Sequence, residues 1–224
     1  MKIIALLPMK GNSERVPNKN LKDFAGKPLY HRTMEVLLDS KYIDKVIVNT
    51  DSETIKEDLL TYFPNNVIII DRPKEIIGDL VSMNKIIDYD IHQVTADFYI
   101  QTHSTNPLLK TSSVDDAIEK MILLGKEGVY DSIFSVTRLQ TRLYKANGAP
   151  FNHNPEVLLR TQDLEPLYEE NSNFYMFTKE SFQKSGGKRI GNHPFMFEID
   201  KIEAVDIDEP QDFVIAETLF KLLS

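Results

Sequence analysis

The sequence predicts an α/β fold in which a mostly parallel sheet carries helices on both faces. Two observations lead to this prediction. Short apolar segments alternate with amphipathic segments through the first half of the 224 residues. Strands that are apolar throughout are typical of a sheet buried on both faces. A chain of this length buries roughly 70% of its unfolded surface and needs no disulfide to fold. We therefore expect one domain over residues 1–224.

The predicted elements follow one another in a regular order. Strands are predicted over residues 2–8, 45–49, 67–70, 98–101, 132–136 and 203–207. Helices are predicted over residues 27–40, from residue 51 onward, over 82–94, from about 111 to 124, and over 210–223. Ser52 brings helix-capping chemistry to the start of the second helix. Each of the first four strands is thus followed by a helix, which favours parallel pairing.

The alternation breaks between about residues 137 and 193. This stretch contains the turn-forming pairs Asn147-Gly148, Asn154-Pro155 and Gly186-Gly187, with short aromatic segments such as residues 173–177 between them. Its apolar content is low for an independent core. We therefore expect an extended, hairpin-rich insertion in the single domain rather than a second domain.

Composition excludes several classes of protein. With 0 cysteines, the chain cannot form thiolate zinc sites, iron–sulfur clusters or a cysteine nucleophile, and it fits a reducing cytoplasm. The net charge of −8 argues against general binding to nucleic acid or anionic membranes. The apolar start is too short for a signal-peptide core, and no later segment reaches a transmembrane length. We expect a cytoplasmic protein with neither nucleic acid nor membrane as a partner.

The loop after the first strand has the composition of a phosphate-binding loop. It contains the cations Lys10, Arg15 and Lys19, together with Gly11, Ser13 and Asn20. Ligands of open α/β sheets sit beyond the carboxyl ends of the strands, where this loop is expected. Backbone amides, a hydroxyl and cationic side chains can together hold a polyphosphate. The loop matches neither a Walker A motif nor GxGxxG, so an ordinary solvated loop stays an alternative.

An acidic pair near the C-terminus is a candidate metal site. Alternate residues at a strand end share one face, so Asp206 and Asp208 can converge on one hard cation. A Mg²⁺ ion there would bridge carboxylates to nucleotide phosphates. Asp208 lies two residues before Pro210. The alternative to a metal site is therefore that Asp208 belongs to the N-cap region of the last helix, which has acidic residues in its first turn.

Two more polar segments follow strands. One contains Arg72 and Asp79 after the third strand, and the other runs from Gln101 to Pro107 after the fourth. The alternative for both is plain turn chemistry. His103 lies in the second segment, but the five histidines show no metal-binding spacing.

Together these segments resemble the acylneuraminate and deoxy-octulosonate cytidylyltransferases, the CMP-sugar synthetases. The resemblance rests on LPMKGNSERVPNKN, Gly26-Lys27-Pro28-Leu29, VIVNTDSETI, the RP-x-E segment with Asp79, QTHSTNPLL and DIDEPQDF, in the family's order over nearly the whole chain. It implies a Rossmann-like sheet of the nucleotide-diphospho-sugar transferase type. It also implies a homodimer in which the insertion of each chain reaches across the partner's site.

The resemblance implies transfer of CMP from CTP to a 2-keto sugar acid, with release of pyrophosphate and with Mg²⁺ as the cofactor. The implied catalytic residues are Lys10, Lys19 and Asp208, and the implied metal ligands are Asp206 and Asp208. The implied nucleotide-binding residues are Leu7, Met9, Lys10, Gly11, Ser13, Arg15, Lys19, Asn20, Arg72 and Asp79. The implied sugar-binding residues are Gln101, Arg160, Asn171 and Tyr175. For Arg160 the role would be to grip the acceptor's carboxylate.

The chain departs from the family pattern at several positions. Lys10 stands where the family has an arginine, which replaces a bidentate phosphate donor with a point charge. Arg15 is closer to the deoxy-octulosonate branch, whereas Lys19 and Asn20 are closer to the acylneuraminate branch. The acceptor therefore stays open between a sialic-acid-like sugar, deoxy-octulosonate, a legionaminate-type sugar and a phosphonate.

Two further functions stay open from the sequence. A GT-A glycosyltransferase also combines a nucleotide-binding sheet with an acidic metal pair, although its pair normally falls in mid-chain. A nucleotide-binding regulator that has lost the chemistry would explain the lysine at position 10, but not the presence of Lys19, Asp206 and Asp208. Pyrophosphate release from CTP distinguishes the three.

Overall fold

A seven-stranded sheet organises the chain in the computed structural model, which describes residues 1–65 and 67–223. The strands are β1 (Ile3–Leu6), β2 (Asp23–Phe24), β3 (Lys27–Pro28), β4 (Lys45–Thr50), β5 (Val67–Asp71), β6 (Phe98–Thr102), β7 (Ser132–Leu139), β8 (Leu167–Phe177) and β9 (Pro194–Glu198). The helices are α1 (Leu29–Leu38), α2 (Glu53–Tyr62), α3 (Met83–Gln93), α4 (Thr111–Glu127), α5 (Lys179–Lys184) and α6 (Pro210–Leu223).

The large sheet is mostly parallel, as the sequence predicts. Its order is β5-β4-β1-β6-β8-β7-β9, and β2 pairs with β3 in a separate two-stranded sheet. The pairs β4–β5, β1–β4, β1–β6 and β7–β9 are parallel, whereas β8 runs antiparallel to both of its neighbours. The carboxyl ends of β1, β4, β5 and β6 therefore meet at one edge of the sheet, which is the edge where such sheets bind ligands.

Both faces of the sheet are covered, because alternate residues of a strand point to opposite sides. Along β1, Ile3 and Ala5 contribute to one core with residues of α1, α2 and α4, while Ile4 and Leu6 contribute to a second core with α3 and α5. Ser52 caps α2 as predicted, since its Oγ accepts a hydrogen bond of 3.3 Å from the amide of Ile55. The helix–strand alternation thus produces the expected three layers.

One predicted strand is wrong. Residues 203–207 form no strand, and β9 instead supplies the last parallel strand, beside β7. The backbone here bonds to the loop after β6: the amide of Ile207 donates to Thr105, and Asn106 donates to the carbonyl of Val205. The Glu203 carboxylate accepts hydrogen bonds at the start of α4, from the Lys110 amide and the Ser113 hydroxyl. The segment therefore crosses the ends of the strands instead of pairing along one.

The predicted insertion at 137–193 divides into two parts. Its second part enters the main sheet as β8, which the sequence pattern did not assign to that sheet, and continues into α5. Its first part, residues 140–166, connects the long antiparallel pair β7–β8 and contains one isolated bridge between Tyr144 and Pro150. The hairpin prediction therefore describes residues 140–166 better than the whole range.

Within residues 1–65 and 67–223, the fold contains no helix long and apolar enough to span a bilayer.

Candidate active site

A cleft of about 430 Å³ opens at the carboxyl ends of β1, β5 and β6. Its walls come from the loop after β1, the segment between β5 and α3, the loop after β6, and Asp208. The predicted residues that line it are Met9, Lys10, Ser13, Arg15, Lys19, Asn20, Arg72, Asp79 and Asp208. Leu7, Gly11, Gln101, Arg160, Asn171, Tyr175 and Asp206 do not line it. The structure therefore brings together the predicted phosphate loop and one of the predicted metal ligands.

Glycine at position 11 is required by a close approach between two loops. A Cβ on Gly11 would lie 2.8 Å from the Cβ of Ser52, which is too short for two carbon atoms. The amide of Gly11 donates to the Asp51 carboxylate over 2.7 Å. The loop after β1 is thereby held against the loop after β4.

Asn20 holds the two ends of the same loop together. Its amide nitrogen donates to the carbonyl of Lys10 over 3.0 Å, and its side-chain oxygen accepts from the Ser104 hydroxyl over 2.6 Å. Asn20 is 7% exposed, so these bonds are shielded from water. The residue therefore orders the loop and joins it to the loop after β6.

Each loop cation faces a carboxylate within the cleft. Lys10 Nζ lies 2.6 Å from Asp79, and this contact lowers the pKa of the Asp79 carboxyl. Arg15 donates to Asp208 over 3.0 Å and to Glu209 over 3.2 Å. The side chains of Arg15 and Asp208 are 56% and 51% exposed, so water screens this pair and it contributes little to stability. Such pairs can exchange partners when another anion enters.

Lys19 is the most buried of the three loop cations. Its side chain is 13% exposed, its Nζ donates to the carbonyl of Ile207 over 2.6 Å, and Asp208 lies 3.9 Å away. Burial lowers the pKa of Lys19, and Asp208 and Asp206 act in the opposite direction. A desolvated ammonium next to a half-exposed carboxylate is a strong partner for a phosphate oxygen, because little water has to leave.

The acidic pair offers carboxylate oxygens, the ligand type that a hard cation prefers, although only Asp208 lines the cleft. Burial raises the pKa of Asp206, and the neighbouring Asp208 raises it further. The Oδ1 atom of Asp206 is buried and has no hydrogen-bond partner among the described residues. The Asp212 carboxylate orients the segment, because it accepts hydrogen bonds from the amides of Asp208 and Glu209. No group of three or more acidic, histidine or cysteine residues suited to a metal occurs within residues 1–65 and 67–223, so the remaining ligands would come from substrate oxygens.

Arg72 lines the cleft and also bonds to the backbone that forms its wall. Its guanidinium donates to the carbonyl of Met9 over 3.1 Å and to the carbonyl and side chain of Asn49 over 2.8 Å each. Asn49 in turn donates to the Asp90 carboxylate on α3 over 2.6 Å. Burial lowers the pKa of Arg72. This network fixes the backbone of Met9 at the point where the predicted phosphate loop begins.

We expect Asp90→Asn to gain stability relative to the parent protein as the pH rises. Burial raises the pKa of Asp90 to about 7, although Asn49 and Arg72 act against it. Between about pH 4, the pKa of an unfolded aspartate, and pH 7, the folded parent binds more protons than the unfolded chain. The parent therefore loses stability through this window, by up to about 4 kcal/mol at about 1.4 kcal/mol per pKa unit.

Urea unfolding of both proteins from pH 4 to pH 8 measures this difference. The stability difference between Asp90→Asn and the parent should widen up to about pH 7 and then level off. Parallel curves would show that Asp90 is not a buried, neutral carboxyl group.

The predicted sugar-binding residues lie apart from the phosphate loop. Gln101 and Tyr175 face each other across β6 and β8 and are both 0% exposed. Asn171 donates to Thr137 over 2.9 Å beside Ser172, whose φ of 59° marks a left-handed position in β8. Arg160 is 72% exposed and donates to Asp163 over 2.7 Å. The acceptor-binding role of these residues stays a prediction.

Three residues at or near the cleft were not among the predicted site residues. Glu14 and His103 line it, and Arg189 donates from its NH1 to His103 Nε2 over 3.2 Å. Burial, Arg189 and Lys19 together lower the pKa of His103 to about 3, so the ring is neutral at pH 7. The Gly186-Gly187 pair predicts only a turn, and the two cations that follow it directly, Lys188 and Arg189, belong to no motif. The Arg189 contact depends on a long-range packing that no local pattern predicts.

Sequence comparison finds similar proteins along nearly the whole chain. A family model described as cytidylyltransferase matches residues 4–221. The pseudaminic acid cytidylyltransferase of Campylobacter jejuni serotype O:2 is 28% identical, over 99% of this chain and 97% of its own length. The N-acylneuraminate cytidylyltransferase A of Danio rerio is 30% identical, over 96% of this chain and 50% of its own length.

The fold also matches a solved structure. The CMP:2-keto-3-deoxy-manno-octonic acid synthetase complexed with CTP superimposes with a TM-score of 0.72 and 14% identity, over 100% of both chains. At that identity the match supports the fold alone, which confirms the predicted Rossmann-like architecture. The family model covers nearly all of the chain and confirms the resemblance read from the motifs. This chain belongs to the cytidylyltransferase family.

Proposed function

We propose that this enzyme transfers CMP from CTP to a 2-keto sugar acid of the sialic-acid type, with release of pyrophosphate and with the help of Mg²⁺. One observation carries the proposal: the cations of the loop after β1 and Asp208 meet in one cleft at the carboxyl ends of the strands. Such a cleft provides positive charge for a triphosphate and a carboxylate for its metal ion.

The phosphate contacts follow from the exposed ion pairs. Lys10, Arg15 and Lys19 all line the cleft, and each lies within 4 Å of a carboxylate. Triphosphate oxygens would take the place of those carboxylates around the cations. Lys10 then supplies a point charge, whereas Arg15 can grip two oxygens at once. We assign the pyrophosphate leaving group to these three residues.

Asp206 and Asp208 would hold the Mg²⁺ ion. Bound there, the ion would act as a Lewis acid on the phosphate oxygens and offset the charge that builds up on the leaving group. The unpartnered Oδ1 of Asp206 supports this assignment, because a buried carboxylate oxygen without a partner is costly. Lys19 keeps the backbone of Ile207, between the two aspartates, against the phosphate loop.

The reaction requires one bond to form and one to break. The anomeric hydroxyl oxygen of the acceptor attacks the α-phosphorus of CTP, the bond to the β-phosphate oxygen breaks, and the hydroxyl proton is released. Charge develops on the departing pyrophosphate, next to the loop cations. Preorganised charges placed where negative charge develops are usually the largest single source of transition-state stabilisation.

The acceptor class is supported by the relatives. The Campylobacter relative is named for pseudaminic acid and the Danio relative for N-acylneuraminate. Deoxy-octulosonate, a legionaminate-type sugar and a phosphonate are the alternative acceptors. We place the sugar on the side of the cleft where the loop after β6 meets β8, near Gln101, Asn171 and Tyr175.

We further propose a homodimer in the cytoplasm. Apolar side chains are exposed in the segment between β7 and β8, including Phe151 at 58% and Leu158 at 86%. A partner chain would cover them, and Arg160 in the same segment would then reach the partner's site. The absence of cysteine is in keeping with a reducing compartment. Light scattering of the purified chain measures the assembly.

Pyrophosphate release tests the reaction. With CTP, Mg²⁺ and a panel of pseudaminate, N-acetylneuraminate, a legionaminate and deoxy-octulosonate, we expect release with at least one nine-carbon acid. A glycosyltransferase would instead consume a CMP-sugar without releasing pyrophosphate. A nucleotide-binding regulator would bind CTP and release none, which would contradict the proposal.

A further inference from the structure

A second polar cluster lies beside the cleft and is centred on Arg189, between α5 and β9. The backbone amide of Arg189 donates to the side chain of Asn84 on α3 over 3.3 Å. Its guanidinium carbon lies 3.6 Å from the centre of the Tyr175 ring, and its side chain is 18% exposed. A guanidinium stacked on an aromatic ring is held in a fixed plane.

One nitrogen of this guanidinium is anchored within the protein. NH1 donates to Gln101 Oε1 over 2.6 Å and to His103 Nε2 over 3.2 Å. Because a guanidinium can only donate, Nε2 of the neutral His103 ring accepts, and the ring carries its proton on Nδ1. Gln101 is oriented in turn, since its side-chain nitrogen donates to the carbonyl of Thr102. NH1 therefore bonds only to neutral acceptors.

The charge of Arg189 has no carboxylate at hydrogen-bond distance in the described part of the chain. Glu170 comes nearest, with Oε1 3.9 Å from NH2, and it accepts a hydrogen bond from the Tyr175 hydroxyl instead. Burial lowers the pKa of Arg189, although Tyr175 and Glu170 act against that. Two of the loop cations differ, because Lys10 and Arg15 each contact a carboxylate directly, whereas Lys19 lies 3.9 Å from Asp208.

The cluster is continuous with the cleft. His103 joins Arg189 to the cleft wall, where Ser104 and Thr105 follow it. Arg189 therefore lies behind His103 on the β8 side and, unlike the three cations of the phosphate loop, does not itself line the cleft. An anion bound there would be separate from the triphosphate.

We infer that Arg189 binds the carboxylate of the acceptor, with Tyr175 and Gln101 as the residues that orient it. This inference rests on the proposed function. In the ring form of a 2-keto sugar acid, the carboxylate and the attacking hydroxyl share one carbon atom. Holding the carboxylate therefore orients the hydroxyl toward the α-phosphorus. Because both hydrogens of NH1 are engaged, the remaining donors on NH2 and Nε would do this with two parallel hydrogen bonds, which an ammonium cannot reproduce.

We expect Arg189→Lys to raise the KM for the acceptor on the order of tenfold or more, since charge-assisted bidentate contacts are lost. The KM for CTP should stay within about twofold, because the substituted residue neither lines the cleft nor contacts a residue of the phosphate loop. Steady-state kinetics with each substrate varied in turn measures both. An unchanged acceptor KM, or an equal rise in both constants, overturns the inference.

A second acceptor separates carboxylate binding from a structural role. The same sugar acid with a carboxamide in place of its carboxylate is tested on the parent and on Arg189→Lys. The ratio of kcat/KM for the acid to kcat/KM for the carboxamide measures the preference for the carboxylate. This ratio should be lower in the variant than in the parent. A ratio that stays at the parent value overturns the inference, whatever happens to the individual constants.

Two other arginines provide comparisons. Arg32 is also stacked on an aromatic ring, with its guanidinium carbon 4.3 Å from the centre of Phe220, and it donates to backbone carbonyls far from the cleft. Arg32→Lys should leave the acceptor KM unchanged. Arg160→Lys tests the residue that the family resemblance favours for the same role. A rise in acceptor KM for Arg160→Lys with none for Arg189→Lys overturns the inference.

Binding without turnover separates this inference from the proposed function. Saturation-transfer NMR in EDTA measures binding of the four acids of the panel to the parent and to Arg189→Lys. If the parent binds an acid but releases no pyrophosphate with it, the proposed function fails, and weaker binding by the variant still supports the role of Arg189. If the parent binds none of the four acids, the inference is overturned.

Discussion

Asp208→Asn should lower kcat on the order of a hundredfold or more while the protein stays folded. The substitution removes one negative charge from the proposed Mg²⁺ ligands and so weakens stabilisation of the departing pyrophosphate. The Asp208 side chain is 51% exposed, and its backbone amide is held by Asp212 in either case. The melting temperature should therefore change little. Pyrophosphate release under saturating substrates measures kcat.

Glu209→Gln is the matched control for this substitution. Glu209 is the adjacent acid and contacts the same cation, Arg15, over 3.2 Å, but it does not line the cleft. It should retain most of the parent activity. A titration with Mn²⁺ in the presence of CTP adds a readout other than turnover, and Asp208→Asn should weaken it. Full activity of the parent in excess EDTA would contradict the metal assignment.

Lys19→Met should lower kcat/KM for CTP by a factor on the order of a hundred. The substitution keeps the apolar stem but removes the one loop cation that is largely desolvated. It also removes the hydrogen bond to Ile207, a loss of about 1–3 kcal/mol for a charged donor. We therefore expect the melting temperature to fall by several degrees as well. Kinetics well below that temperature separate the two effects.

Lys22→Met provides the comparison for Lys19. Lys22 belongs to the same stretch of chain, but its ammonium lies 4.4 Å from the centre of the Phe213 ring and does not line the cleft. Its substitution should leave the kinetics unchanged. Equal kcat/KM for Lys19→Met and the parent would show that the loop is an ordinary solvated segment that does not bind CTP.

Much of the fold follows from local sequence pattern. The apolar runs at β1, β4, β5 and β6 and the amphipathic helices between them were predicted to within a few residues, because burial on both faces requires strands that are apolar throughout. Other parts of the fold were not predictable in this way. β8 enters the middle of the sheet after a polar, turn-rich stretch, and residues 203–207 look like a strand yet bond to a loop. Strand pairing over long sequence distances leaves no local signal.

The candidate site, like the fold, was predictable from the sequence only in part. By themselves, the residues of the sequence determined that a cationic loop follows β1, that an acidic pair precedes α6, and that the chain resembles the cytidylyltransferases. Only the tertiary structure decided that Lys19 contacts the backbone between the two aspartates, and that Arg72 and Asp90 form a network behind the loop. It also placed Arg189 against Tyr175 and Gln101. Composition and spacing report which chemical groups are available, whereas burial and the charge that a group faces depend on segments that meet only when the chain folds.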